Sequence, residues 1–235
     1  MADHTVKSYE DELTALDSTL AEMGDLALEQ VNAAVEAISG NDLKLARRTV
    51  DGDARLDLLE VRTEQLAVRL IALRQPLARD LRDILAAMKI AGNLERCGDL
   101  AKNIAKRALV VGDGSPPDAS GESIRRMGQL VAARLAQVLA AQRARDVDAA
   151  IAVWRRDSDI DELYDSLFRE LLTRMVGDPR SIAACAHLLF VAKNLERIGD
   201  HATNIAESIH YQIVGDPIPG AGRPKAESLR SPPEA

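Results

Sequence analysis

The sequence predicts an all-α protein built as two tandem three-helix bundles, and three observations carry that prediction. Aromatic residues make up only 3% of the 235 residues, while Ala, Leu, Arg, Asp and Glu abound, a balance that favours helix over sheet. Helical spacing of apolar positions persists from about residue 5 to 214. The chain also repeats itself: Asn93-Leu94-Glu95-Arg96-Cys97-Gly98-Asp99-Leu100-Ala101-Lys102-Asn103-Ile104-Ala105 aligns with Asn194-Leu195-Glu196-Arg197-Ile198-Gly199-Asp200-His201-Ala202-Thr203-Asn204-Ile205-Ala206, identical at ten of thirteen positions. An offset near 100 residues is too long for a solenoid repeat and marks an internal duplication.

The element boundaries follow from turn chemistry. Gly40-Asn41-Asp42 ends the first helix and caps the next, and Pro76 stands where the third would begin. Gly112-Asp113-Gly114-Ser115-Pro116-Pro117 closes the first half. Asp146 and Gly177-Asp178-Pro179 repeat the plan, at offsets of 104 from Asp42 and 103 from Pro76. The expected organisation is a first bundle over 1–112, a linker over 113–121, a second bundle over 122–214, and a disordered Pro/Gly-rich tail over 215–235. Core stripes run through Ile90, Leu94, Cys97, Ala101, Ile104 and Ala108, and through Val191, Leu195, Ile198, Ala202, Ile205 and Ile209. Cys97 reads as a small buried hydrophobe, since its counterpart is Ile198.

Composition excludes several function classes. A net charge of -7 argues against nucleic-acid binding, and so few aromatics leave no base-stacking platform. No apolar run approaches the ~18 residues of a membrane span, and no signal peptide is visible, so a cytoplasmic protein without direct membrane insertion is expected. Two cysteines make no disulfide framework. No phosphate-binding Gly-Lys loop and no nucleophile-base constellation occurs, so the chain reads as a non-enzyme. Glu207-Ser-Ile-His210 fits a di-iron spacing, but the first half lacks its equivalent.

The candidate site residues are paired carboxylates four apart, which share one helix face. They are Asp53/Asp57 and Glu95/Asp99 in the first half, and Asp157/Asp161 and Glu196/Asp200 in the second. Such spacings are common by chance in an acidic chain; the informative feature is that these four occupy matching positions of the duplication. Each half owns one pair on its second helix and one on its third, and antiparallel neighbours would bring the two together. All-oxygen donors favour hard cations such as Mg, Mn, Ca or Fe. A solvated acidic face is the competing reading. Asn103 and Asn204, one turn beyond Asp99 and Asp200, are candidate further oxygens. Gly98 and Gly199, costly inside a helix, imply close approach of a neighbouring element.

On these residues the chain resembles the PhoU family of phosphate-signalling regulators over about 7–214. The specific stretches are Asn93–Asp99 and Asn194–Asp200, with Met23-Gly24, Leu73-Arg74-Gln75-Pro76 and Asp80-Leu81-Arg82 in support. The resemblance implies two bundles of long, spectrin-repeat-like helices with pseudo-twofold symmetry. It also implies multinuclear metal clusters (Mg, Mn, Fe or Zn) on the eight acids named. The implied role is negative regulation of phosphate uptake and of the starvation response, as a metal-binding adaptor; separately, the long amphipathic faces permit a dimer, and a homodimer is expected. The implied partners are the ATPase subunit of a phosphate ABC transporter and a sensor histidine kinase. A helical scaffold without functional metal is the alternative, and a metal-dependent hydrolase a more distant one. Lys102 beside the first pairs becomes Thr203 in the second half, which predicts unequal sites.

Overall fold

Helices form where the apolar spacing places them and stop at the expected breakers. The structure is a computed structural model that describes residues 2–112 and 119–219, with side chains from 9 to 112 and from 120 to 219. Its first half holds α1 (Ala2–Gly40), α2 (Leu43–Gly52), α3 (Ala54–Arg74) and α4 (Ala78–Val111). Its second holds α5 (Ala119–Ala144), α6 (Val147–Trp154), α7 (Ser158–Gly177), a 3-10 turn (Pro179–Ser181) and α8 (Ile182–Val214). The two expected caps form. Asp42 accepts from the Lys44 and Leu45 amides at 3.0 and 2.9 Å, and Asp146 from the Ala149 amide at 3.0 Å. Asp42→Ala or Asp146→Ala should each cost about 1 kcal/mol, read as a lowered thermal midpoint.

Two boundaries differ in detail. Each expected middle helix comes in two pieces, α2 with α3 and α6 with α7. The breaks fall at Asp51-Gly52-Asp53 and at Arg155-Arg156-Asp157, where Gly and Asp are poor helix formers. Asp53 and Asp157 nevertheless keep right-handed helical angles (φ -62° and -58°), so direction is nearly preserved. α4 starts two residues after Pro76, because Gln75 turns left-handed (φ 47°) and Leu77 is extended. Residues 113–118 of the expected linker and the tail from 220 lie outside the described residues, whereas 119–121 already belong to α5. At the start of the expected tail, Ile218 is buried and the Asp216 carbonyl lies 2.8 Å from His210 Nδ1.

Both core stripes are buried throughout. They are only part of the burial, because α4 also hides Ala87, Ala91, Leu100 and Ala105, and α8 hides Ala192, Thr203 and Ala206. The reason is that the halves share one core. α4 packs along α8, α1 along α5, and α1 and α5 close onto α4 and α8, so these four form a central bundle. α2 and α3 cover the α1–α4 face, and α6 and α7 cover the α5–α8 face. At the α1–α5 crossing the symmetry is visible in atoms. A Cβ on Gly24 would lie 2.6 Å from a Leu139 methyl, and one on Gly128 would lie 2.5 Å from both Val35 methyls. Gly24 and Gly128 are 104 apart, and so are Val35 and Leu139.

Candidate metal centre

The long helices α4 and α8 carry Glu95/Asp99 and Glu196/Asp200 on the flank that α3 and α7 overlie. Close packing there depends on the two repeat glycines. A Cβ on Gly98 would sit 2.5 Å from Leu56 Cδ1, and one on Gly199 would sit 2.6 Å from Ile160 Cδ1. The glycines therefore let α3 and α7 lie against α4 and α8, which brings Asp53/Asp57 beside Glu95/Asp99 and Asp157/Asp161 beside Glu196/Asp200.

Electrostatics record the proximity. The Glu95 carboxyl is pushed up to about 7, first by burial, then by Asp99 and Glu60, with Arg96 opposing. Asp161 is pushed up to about 6 by burial and then by Asp157, Glu196 and Asp200 together, with Lys193 opposing. In the second half the four predicted acids thus share one acidic ridge, and in the first Asp53, Asp57 and Asp99 act together on Lys102 while Glu95 responds to Asp99 and Glu60. Arg96 lies 3.4 Å from Glu95 and 3.5 Å from Asp99, and Lys193 Nζ lies 2.7 Å from Glu196.

The ridges differ at several positions, since Lys193 has Gly92 as its first-half counterpart, Glu60 has Tyr164 in the second half, and Lys102 corresponds to Thr203. In the first half Lys102 forms an ion pair with Asp53, which is only 2% exposed, and stands 3.8 Å from Asp99. In the second half the Thr203 hydroxyl donates to Asp157 Oδ1 at 2.8 Å, which brings a hydrogen bond but no positive charge. Lys102→Met should destabilise the protein by about 3 kcal/mol, because it leaves Asp53 buried without its cation. Thr203→Val, which removes the hydroxyl that bonds Asp157 and also lies 3.2 Å from the Gly199 carbonyl oxygen, should cost about 1 kcal/mol. Chemical denaturation of both variants reads the difference.

As donors, the eight carboxylates suit hard cations. Their arrangement is not preformed: among the described residues, no three or more His, Cys, Asp or Glu side chains stand so that they could hold a metal ion. Ligation would require the carboxylates to rotate toward a common point.

Several other expectations resolve into structure. Cys97 is fully buried, and burial pushes its thiol up to about 12. Asn204 donates to Asn93 Oδ1 at 3.4 Å across the α4–α8 seam, and Asn103 faces solvent, so neither amide joins its ridge. His201 Nδ1 lies 2.9 Å from the same Asn93 oxygen. Glu207 accepts from Trp154 Nε1 at 3.0 Å, so Glu207 and His210 serve packing. Two residues escaped the sequence reading. Glu60, one turn beyond Asp57, adds its charge to Glu95, and burial and Glu64 raise its own carboxyl. Gln30 on α1 is 5% exposed, and neither of its side-chain polar atoms has a hydrogen-bond partner. Its Oε1 would lie 3.0 Å from a Cβ on Gly98, and Asp53 Oδ1 would lie 3.4 Å from it, which puts the amide at the buried end of the first ridge. Glu60 could have been found by extending the acidic ladder from Asp57; nothing in the spacing singled out Gln30.

Fold and ridges together define a duplicated helical protein with two symmetry-related acidic faces. The PhoU domain matches residues 20–108 and 124–209, and the chain belongs to that family. It is 55% identical over 229 residues to the phosphate-specific transport system accessory protein PhoU homolog of Caulobacter vibrioides, covering 97% of this chain and 99% of that one. The homolog of the same name from Rhizobium meliloti is 44% identical, covering 94% and 93%. The crystal structure of PhoU from Pseudomonas aeruginosa superposes with a TM-score of 0.85 at 36% identity, covering 88% of this chain and 100% of that one. The phosphate transport system regulatory protein PhoU from Streptococcus pneumoniae gives 0.82 at 28% identity, covering 89% and 99%. These relatives bear the names of accessory and regulatory proteins, in line with a non-enzyme. Among the described residues, no helix is long and apolar enough to cross a membrane.

Proposed function

We propose that this chain is an accessory protein of a phosphate transport system. In this reading it restrains phosphate uptake and the phosphate-starvation response when phosphate is plentiful. It works on the cytoplasmic side, as an adaptor between the transporter's ATPase subunit and a sensor histidine kinase. The observation that carries the reading is the pair of acidic ridges at matching places in a fold whose relatives bear phosphate-transport names. Asp53, Asp57, Glu95 and Asp99, and separately Asp157, Asp161, Glu196 and Asp200, would hold divalent or trivalent cations of the Mg, Mn, Fe or Zn kind. Bound cations would neutralise or invert the ridge charge and so present a surface that attracts acidic groups of a partner.

One observation favours a partly structural role. The Lys102 ammonium already compensates Asp53, and Lys193 pairs with Glu196 in the second half, so each ridge carries a lysine of its own. Equilibrium dialysis with Mn, scored by elemental analysis, separates the readings. Metal lost in Glu196→Ala/Asp200→Ala but retained in Glu95→Ala/Asp99→Ala assigns binding to the second ridge. Equal loss in both assigns it to both, and no metal in the unaltered protein leaves a metal-free scaffold. The regulatory part is tested by deleting the gene and growing the strain in high phosphate with a secreted-phosphatase reporter. Constitutive phosphatase supports the role, and a reporter still repressed by phosphate overturns it.

A further inference from the structure

We propose that the groove between α4 and the last turns of α8 binds a small organic anion that also carries hydroxyl groups, of the sugar-phosphate or sugar-acid class. The groove has a volume of about 570 Å³, within the range of small-molecule sites. One wall is α4 at Met88, Lys89 and Asn93, and the other is α8 at Asn204, Ser208 and Tyr211, one residue per turn. The chain beyond α8 makes the third side. Gly215 turns left-handed (φ 93°), the buried His210 holds its Nδ1 2.8 Å from the Asp216 carbonyl, and Ile218 is buried against the groove. This fold-back deepens what the seam alone would leave as a crease.

The duplication supplies a comparison. At the repeat's offset of 101, Lys89, Gly92 and Ser208 correspond to Phe190, Lys193 and Arg107. There the Arg107 guanidinium stacks over the Phe190 ring, 4.1 Å from its centroid, and lies 3.1 Å from His187 Nδ1. The related stretch of seam is thus covered by its own side chains, whereas Gly92 and Ser208 leave this one open.

The polar groups of the lining select the ligand. Lys89 is exposed and makes no ion pair among the described residues. Its Nζ stands 5.3 Å from the centroid of the Tyr211 ring, which holds the ammonium at the groove without neutralising it. The Tyr211 hydroxyl has no hydrogen-bond partner among the described residues, and Asn204 spends one N–H on Asn93 and keeps the other. An ammonium, a hydroxyl and an amide N–H are donors for an oxyanion. Asn93 is only a wall, because its Nδ2 donates to the Lys89 carbonyl and its Oδ1 meets His201 and Asn204. Glu207 has the opposite character. Its Oε1 accepts from Trp154 Nε1 at 3.0 Å, and its Oε2 makes no hydrogen bond among the described residues. An ionised carboxylate only accepts, so this end of the groove calls for a hydroxyl on the ligand and disfavours a bare anion.

Trp154 is the one tryptophan of the chain and reports on the groove through its bond to Glu207. The full chain is titrated with ribose 5-phosphate and with gluconate, against ribose and inorganic phosphate, and followed by Trp154 emission and by calorimetry. At least one of the first two should saturate, more tightly than ribose or phosphate alone. Saturation by ribose 5-phosphate only assigns a phosphate head, by gluconate only a carboxylate head, and by both an unselective oxyanion subsite. Lys89→Met should weaken binding by about tenfold or more. Glu207→Gln, which keeps an acceptor for Trp154, should narrow the advantage over inorganic phosphate. Lys106→Met, at the α4 position equivalent to Glu207, should change nothing. Unchanged melting curves establish that the variants are folded. Three results overturn the inference: no saturable response to either hydroxylated anion, inorganic phosphate bound as tightly as both, or an affinity indifferent to Lys89→Met.

Discussion

Gly128→Val should destabilise the protein by about 3 kcal/mol, the largest effect expected of any substitution at a glycine here. Alanine in a helix interior ordinarily gains up to ~1 kcal/mol over glycine, so the local backbone preference points the other way. Packing decides the sign. A Cβ at Gly128 would come within 2.5 Å of two methyls of Val35, a short branched side chain on a long helix with no room to swing aside. Valine adds two further carbons to the same filled space. The symmetry-related contact at Gly24 meets a terminal methyl of the longer Leu139, which has a second torsion with which to retreat, so Gly24→Ala should cost less than Gly128→Ala. Gly40, with nothing within 4 Å, is the control, and Gly40→Ala should be neutral or slightly stabilising. The diagnostic variant is Gly128→Val combined with Val35→Ala, which should recover much of the loss. A double mutant no more stable than Gly128→Val alone would locate the damage elsewhere. Urea titrations at one temperature measure all five.

Metal-free protein should lose stability as pH rises from about 4.5 to 7, by an amount on the order of 1–2 kcal/mol from Glu95 alone after allowance for its partial exposure. The sign follows from proton binding. Glu95 titrates at its ordinary 4.5 when unfolded and near 7 when folded, so between those values the folded chain holds more protons. Raising the pH therefore favours the unfolded state until both forms are ionised, and the curve flattens above about 8. Asp161, moved from 3.8 to about 6, adds a second decline at lower pH. Glu95→Gln should remove the first decline and make the protein more stable than the parent at pH 8. Measured in a chelator and then with added Mn, the same experiment distinguishes charge relief by protons from charge relief by metal. A cation bound at the ridge would restore parental stability at pH 8 and would do little for a variant that lacks the ridge carboxylates. A flat profile from pH 4 to 8 in chelator would mean that the carboxylates do not feel one another.

The duplication was legible because both copies keep their turn residues: Asp42 and Asp146 cap as read, and Gly40 and Gly177 end their helices. The ridges were legible for the same reason, as matched pairs rather than as isolated spacings. The additional burial on α4 and α8 was not. A helix wheel shows that Leu100 or Ala105 is apolar, but alanine-rich helices offer apolar atoms on several faces, and only tertiary packing reveals that a second face is covered. The split middle helices were equally hidden, since an aspartate with helical angles breaks a hydrogen-bond ladder without changing direction. Gln30 was beyond reach because it is a polar residue in a core position of α1, and nothing local announces that Asp53 lies beside it.

The reciprocal contact of Gly24 on Leu139 and Gly128 on Val35 is isologous, the geometry that two identical subunits make about a twofold axis. In a true pair of identical chains every substitution appears twice, so the two acidic faces would be bound to change together. Here one polypeptide carries both faces, and covalent linkage replaces concentration as the force that keeps them assembled. Each copy is then free to vary alone. The chain already uses that freedom: a lysine stands guard over one buried aspartate and a threonine over its twin.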